Sequence, residues 1–345
     1  MTRAVNHTRG KTGKHGGIAQ MRQPRKVCVV GAGRVGSTFA YTLMQSGLAQ
    51  EIVLIDVDQD RAIGEAMDLN HGQFFAPPVA IRAGDYEEVA DAALILITAG
   101  AAQQPGESRL DLVQRNVKIV RGIMGEITSR TSEAVIVMVT NPVDVLTYVA
   151  QEASAWPHGQ ILGSGTVLDS ARFRYLLSVH CKIDPRNVHA YIIGEHGDSE
   201  VAVWSMTHIA GVPMEHYCQR ICRRACSPAE RDAIVERVKD SAYHVIESKG
   251  ATYYGVSMAL ERIAAAILRD ENSVLTVTLR ADGHYGLEGV CLSLPAIVNH
   301  SGVARVLDAQ LQPAEEQALR RSAQVLKDII AGIEPPHEKR PQGPP

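Results

Sequence analysis

The segment Gly31-Ala32-Gly33-Arg34-Val35-Gly36 stands directly behind the apolar run 26–30 and directly ahead of a helical stretch, 34–47. In that setting the three glycines do different things. Gly31 allows a tight turn, Gly33 lets a pyrophosphate approach the backbone, and Gly36 lets helix and strand pack closely. A bare G-x-G-x-x-G also occurs in glycine-rich loops with no ligand. Here Asp56 closes the next apolar run (51–56), 20 residues beyond Gly36. A carboxylate at that point accepts hydrogen bonds from both ribose hydroxyls and repels a 2′-phosphate, which favours NAD over NADP. The plain alternative is a strand-turn-helix whose aspartate merely ends a strand.

The rest of the chain continues the rhythm of short apolar runs and helical stretches. Further strands are predicted at 79–82, 93–98, 134–140 and 160–162, with a helix at 61–72. Strands alternating with helices specify a doubly wound parallel α/β sheet, the Rossmann architecture, with six strands in two mononucleotide-binding halves. Thr98, Ala99 and Gly100 then fall at the switch point where such sheets bind ligands. Beyond about residue 165 long helical segments (167–181, 214–249, 253–269) mix with alternating ones (273–279, 290–297), which predicts a second, α+β catalytic domain closed by a helix at 314–333. The expected organisation is a dinucleotide domain at 26–165 and a catalytic domain at 166–333. Residues 1–25 are basic and lack apolar periodicity, so a flexible arm is expected; a start at Met21 or an arm embracing a neighbouring subunit are the alternatives. The proline-rich stretch 334–345 is expected to be disordered.

Composition excludes several partner classes. The 35 Lys and Arg against 38 Asp and Glu leave a net charge of −3, with no electrostatic reason to expect nucleic acid or an anionic membrane. No apolar stretch approaches the roughly 18 residues of a membrane span. Six cysteines in 345 residues are too sparse for a disulfide framework, and no signal peptide precedes them, so a reducing cytoplasm is expected.

Three further segments carry chemistry: Gly194-Glu195-His196-Gly197-Asp198-Ser199, Val167-Leu168-Asp169-Ser170-Ala171-Arg172 and Gln103-Gln104-Pro105-Gly106-Glu107-Ser108-Arg109. With Thr140-Asn141-Pro142-Val143-Asp144 and the dinucleotide fingerprint, they resemble the lactate/malate dehydrogenase family, in detail its bacterial L-lactate branch, over roughly residues 26–333. Residue chemistry agrees independently. A hydride moving to a carbonyl carbon must be accompanied by a proton at the oxygen, and histidine titrates near neutrality, so His196 is the candidate. The resemblance implies that Asp169 hydrogen-bonds the imidazole, fixes its tautomer and raises its pKa. Asp169 and Arg172, three apart on a predicted helix, share a face; in the family's role Arg172 grips the substrate carboxylate with a bidentate fork. An isolated Asp-x-x-Arg would otherwise be a surface ion pair. Arg109 sits in what resembles a mobile lid, whose closure would bring its guanidinium to the reacting oxygen. Asn141 binds substrate oxygen or, alternatively, caps the helix near Pro142. The resemblance also implies cofactor contacts at Val35, Arg61, Thr140, Asn141 and Val256, beside Gly31, Gly33, Gly36, Asp56 and residues 98–100.

For substrate choice, the resemblance implies that the position two before Pro105 reads the group beyond the keto carbon, and malate enzymes carry arginine there. This chain has Gln103. The second carboxylate of oxaloacetate would be buried unpaired, at a cost on the order of several kcal/mol, whereas a methyl group would not. Thr252 matches the small pocket wall of lactate enzymes. Reversible NAD-dependent interconversion of pyruvate and L-lactate, within glycolysis and fermentation, is therefore expected, with malate or another 2-hydroxy acid as the alternative. Arg174 lies two residues after Arg172, about 200° around a helix, and must point elsewhere. Arg174 and His189 match the pair that binds fructose 1,6-bisphosphate between subunits in many members of the family. That match implies a homotetramer with allosteric activation; a solvated arginine and a strand-start histidine are the bland alternative.

Cys218, Cys222 and Cys226 recur every four residues with His216 just upstream, and on one helix side their thiolates could hold a soft metal. The family needs none and cysteine packs as a small hydrophobe, so no metal is expected. His71 is read as structural. An NAD-dependent glycosidase would share the dinucleotide fold but need a metal near the sugar, and an inactive nucleotide-binding protein would keep the fold without the chemistry.

Overall fold

The structure is a computed structural model that describes residues 25–101, 106, 109–224 and 226–335. Most of the expected arm 1–25 and tail 334–345, the position Gln103, and the side chain of Arg109 lie outside the described residues.

The apolar runs form the strands because only a sheet covered on both faces can bury uninterrupted Val, Ile and Leu. β1 (Lys26–Val30), β2 (Glu51–Ile55), β3 (Ala80–Ala83), β4 (Leu94–Ile97), β5 (Val135–Met138) and β6 (Ile161–Gly163) are all parallel to their sheet neighbours among these six. Their order, β3-β2-β1-β4-β5-β6, is that of a dinucleotide-binding sheet. β1, β4 and β5 are buried throughout. Lys26, at the buried end of β1, is neutralised by Glu88 at 2.9 Å and Asp91 at 2.7 Å.

Helices α1 (Arg34–Ser46), α2 (Gln59–His71), α3 (Arg109–Thr128) and α4 (Val143–Glu152) link these strands. α1 opens directly from the glycine turn and stops at Gly47, whose φ of 63° a side chain would resist. The helix expected at 61–72 starts two residues earlier because Asp58 caps it through the Arg61 backbone N–H; His71 is its last residue.

The chain next forms α5 (Val167–Cys181), then β7 (Val188–His189), β8 (Ile192–Ile193), β9 (Val201–Ala202), β10 (His208–Ile209) and β11 (Val212–Pro213). The single helix expected at 214–249 is instead α6 (Met214–Tyr217), a wide helical turn over Cys218–Cys222, a break, and α7 (Pro228–Lys249). Two local causes produce the break. Arg223 adopts a left-handed φ of 52°, and Ser227-Pro228 with Glu230 forms a capping box that starts a new helix. After α8 (Tyr254–Leu268), the strands β12 (Ser273–Arg280), β13 (Cys291–Asn299) and β14 (Gly302–Val306) form an antiparallel set, and α9 (Pro313–Ala331) ends the chain's described helices. Thr278 pairs with Gly163, so β12 extends the parallel sheet through β6 into nine strands.

One apolar core lines this sheet, and a second holds Phe173, Leu177, Val188, Ile192, Met214, Cys218 and Val238 between α5, α6 and α7. No helix among the described residues is long and apolar enough to cross a membrane.

Candidate active site

The glycine turn behaves as its sequence demands. Gly31 has φ 107°, and a Cβ there would sit 2.5 Å from the Ala99 backbone nitrogen. A Cβ on Gly36 would lie 1.9 Å from the Gly31 carbonyl, so helix and turn can approach this closely only with glycine. At Gly33, by contrast, a Cβ would meet nothing within 4 Å. That open space stands at the N-terminus of α1, where unpaired backbone N–H groups and the helix dipole favour an anion. Asp56 follows β2 and accepts from the Ala32 N–H at 2.6 Å and the Asp58 N–H at 2.9 Å, which fixes its carboxylate at the mouth of the turn.

Gly31, Gly33, Asp56, Arg61 and residues 98–100 line one cleft of about 800 Å³. That cleft carries the open space at Gly33 and the Asp56 carboxylate on one wall, the donors and acceptor that a pyrophosphate and a ribose would need. Val35 is half-buried against the core and does not line this cleft. Thr98 Oγ1 donates to the Gly31 carbonyl at 2.7 Å, and Thr140 Oγ1 to the Ala99 carbonyl at 2.7 Å. Buried Asn116 accepts from the Ala101 N–H at 2.8 Å and donates to the Asn141 carbonyl at 3.0 Å. The cleft wall is thus tied to the Asn141 turn by a residue that sequence reasoning missed; an asparagine in mid-helix carries no signal of burial. Asn141 itself is exposed and does not cap α4, whose N-cap is Pro142 with no side-chain bond. A cis peptide joins Asn141 to Pro142.

Three residues beyond Asn141, buried Asp144 accepts from the His196 backbone N–H at 2.7 Å and from Thr278 Oγ1 at 2.6 Å. Burial pushes its carboxyl up to about 6 against these two donors. The turn after β8 is held elsewhere as well. Gly194 and Ser293 exchange backbone bonds of 2.8 and 2.9 Å, and the Glu195 N–H donates to Ser322 Oγ at 2.8 Å. His196 therefore rests on backbone fixed by α4, β13 and α9.

His196 Nδ1 meets Asp169 Oδ2 at 2.5 Å. Arg172 Nη1 donates to the other oxygen, Asp169 Oδ1, at 2.7 Å. Asp169 is buried and the imidazole is about a quarter exposed, with side-chain exposures of 4% and 26%, so the pair interacts with little water between. The Asp169 charge lifts the imidazole to about 9, more than burial lowers it. Burial pushes the Asp169 carboxyl up, but His196 and Arg172 outweigh it and hold that carboxyl below its ordinary range. Nε2 of His196 has no protein partner among the described residues, which leaves one ring nitrogen for a bound oxygen.

Glu200, also missed, lies in the same buried region; burial and then Asp169 push it up to about 8. Its position four residues after His196 gives no hint of burial.

Arg174 turns away from Arg172 as helix geometry requires. Its Nε donates to the Ala190 carbonyl at 2.9 Å, its guanidinium lies 5.2 Å from the Tyr191 ring centroid, and burial lowers its pKa. It lines a second cleft of about 360 Å³ beside Thr276 and Met258. His189 is exposed on β7 and does not line that cleft. Thr252, between α7 and α8, and Val256, in the first turn of α8, are both half-buried. Cys218 and Cys222 share the turn after α6, but Cys226 lies beyond the break, and the histidine beside the thiols is His180, not His216. All six cysteines are free, and burial pushes the Cys181 thiol up to about 12.

Residues 25–163 match the lactate/malate dehydrogenase NAD binding domain, and residues 166–335 match the lactate/malate dehydrogenase alpha/beta C-terminal domain. The L-lactate dehydrogenase of Thermoanaerobacter sp. (strain X514) is 53% identical over 309 residues, 90% of this chain and 99% of that protein. That of Acetivibrio thermocellus is 53% identical over 310 residues, 90% and 98% of the two chains. Among solved structures, the ligands-bound minor L-lactate dehydrogenase from Enterococcus mundtii is similar with a TM-score of 0.87 at 40% identity, over 90% of this chain and 99% of that one.

Proposed function

Because the chain belongs to the lactate/malate dehydrogenase family, we propose that its site interconverts pyruvate and L-lactate. Its activity is that of an NAD-dependent L-lactate dehydrogenase, and NAD is the cofactor. The observation that carries the mechanism is the shared carboxylate: Asp169 bonds His196 through one oxygen and Arg172 through the other.

When bound, NAD supplies the two-electron redox chemistry at its nicotinamide. The chain would hold it through the Gly31 to Gly36 turn, Asp56 and residues 98–100, with Arg61, Val35, Thr140, Asn141 and Val256 around it. His196 holds the proton on Nε2 during pyruvate reduction and delivers it to the keto oxygen; in lactate oxidation the neutral ring takes the hydroxyl proton. Asp169 keeps the Nδ1 proton in place and stabilises the imidazolium. Arg172, with only Nη1 engaged among the described residues, offers its remaining donors to the substrate carboxylate. Arg109 begins α3, and the family resemblance assigns its guanidinium to the developing charge on oxygen. Gln103 and Thr252 select a methyl over a second carboxylate.

Arg174 has no carboxylate partner among the described residues and keeps a half-buried positive charge at a cleft. That supports an anionic effector there, with His189 nearby in sequence to Ala190, and the assignment is fructose 1,6-bisphosphate bridging subunits. Exposed Ile63 and Met67 on α2 and Tyr254 and Met258 on α8 support burial of these faces in a homotetramer. Free thiols throughout support a cytoplasmic location.

The test is NADH absorbance with pyruvate, with oxaloacetate, and with neither, each with and without the bisphosphate. Pyruvate is expected to give the higher kcat/KM, with a lower apparent KM when the effector is present. Faster turnover of oxaloacetate refutes the substrate assignment, and insensitivity to the bisphosphate refutes the effector.

A further inference from the structure

The last turn of α5 and the turn after α6 meet in the second apolar core, away from the redox site. One ligand atom from each of His180, Cys218 and Cys222 lies within 4.8 Å of the others. Nε2 of His180 is sealed from solvent and has no hydrogen-bond partner among the described residues. A buried imidazole nitrogen without a partner is costly and calls for an explanation, an ion among them. The Cys218 thiol is fully buried, with the Met214 thioether 3.8 Å away, and its backbone carbonyl lies 3.7 Å from the Cys222 sulfur. The Cys181 thiol, next to His180 in sequence, interacts with both Cys218 and Cys222.

We propose that His180, Cys218 and Cys222 form a binding site for a thiophilic cation of the zinc class, with the neighbouring Cys181 thiol available as a fourth ligand. The donor set selects the ion: imidazole and thiolates suit zinc, and they exclude hard cations that need oxygen ligands. Tetrahedral bonds of about 2.1–2.3 Å set ligand atoms roughly 3.4–3.8 Å apart, so the side chains must close by up to about 1.4 Å. The wide turn at Cys218–Cys222 and its exposed flank provide that freedom. Coordination by Cys218 and Cys222 breaks two S–H bonds and releases two protons to solvent as two metal–sulfur bonds form, with a third of each when the Cys181 thiol joins as thiolate; no electrons move. The ion would clamp the C-terminal end of α5, the helix that carries Asp169 and Arg172 at its other end, to the segment that follows α6.

The experiment is titration of the full-length, metal-free, reduced protein with Co²⁺ and then Zn²⁺, read by absorbance. The expected result is one Co²⁺ per chain with a thiolate-to-metal charge-transfer band and intense tetrahedral d–d bands, all bleached by one Zn²⁺. Cys222→Ser and His180→Gln alter half-buried side chains, so the protein should stay folded with unchanged pyruvate turnover, yet each should weaken Co²⁺ binding at least about tenfold. Cys218→Ala should do the same. The proposal is overturned if no thiolate band forms at stoichiometric Co²⁺, or if the band persists in Cys222→Ser and Cys218→Ala.

Discussion

Replacing Asp169 by Asn keeps the size of the side chain at the centre of the site but removes its charge. Histidine ordinarily titrates near 6.5, and His196 titrates at about 9 with the Asp169 carboxylate as the largest cause. At about 1.4 kcal/mol per pH unit, the surroundings favour the imidazolium by about 3 kcal/mol, and most of that preference should vanish in Asp169→Asn. At about pH 7.5 a histidine returned to its ordinary value is roughly one-tenth protonated, so pyruvate reduction loses about tenfold from protonation alone. Loss of the orienting bond and of the Arg172 partner adds to this. The assay is kcat/KM for pyruvate across about pH 5.5–10. The wild type should hold a plateau and fall above about 9, while the variant's descending limb should move down towards about 6.5, so that its deficit narrows at acid pH. A variant profile that still falls near 9, or a deficit equal at every pH, would refute the reasoning.

Other expectations follow from the same geometry. A Cβ at Gly36 meets backbone at 1.9 Å whereas one at Gly33 meets nothing, so Gly36→Ala should lower the melting temperature. Gly33→Ala should leave the melt unchanged and weaken NADH binding in a fluorescence titration. Thr278→Val leaves Asp144 Oδ1 without its 2.6 Å donor and should cost about 1–3 kcal/mol in denaturant unfolding. Glu200 is raised to about 8, so folding is progressively penalised as pH climbs from its ordinary value through 8; Glu200→Gln should therefore raise thermal stability more at about pH 8.5 than at pH 6. Gln103→Arg should raise kcat/KM for oxaloacetate relative to pyruvate, and an unchanged ratio would mean that the specificity position is elsewhere.

The dinucleotide half of the fold was legible because its chemistry is local. Runs buried on both faces leave no polar alternation to confuse with a helix, and Gly31, Gly36 and Asp56 each answer a backbone or charge requirement that residue type reveals. Helix geometry was enough to send Arg172 and Arg174 in opposite directions. The second half was less legible. Strands of two residues, such as β7 to β11, are too short to show a period, and the apolar spacing of Met214, Cys218 and Cys222 continued a helix that Arg223 and Ser227-Pro228 interrupt. Asn116 and Glu200 escaped notice, and Asp144 entered only as part of a motif without a role of its own, for a different reason. Each is a polar residue whose importance comes from burial, and burial is set by distant segments: Thr278 and His196 for Asp144, and the Asn141 turn for Asn116.

The most direct test is the titration of His196 itself, followed by NMR on histidine-labelled protein without substrate. A midpoint near 9 that drops towards 6.5 in Asp169→Asn is the result expected of an imidazole held charged for proton delivery. A midpoint near 6.5 in the wild type, indifferent to Asp169, would contradict it.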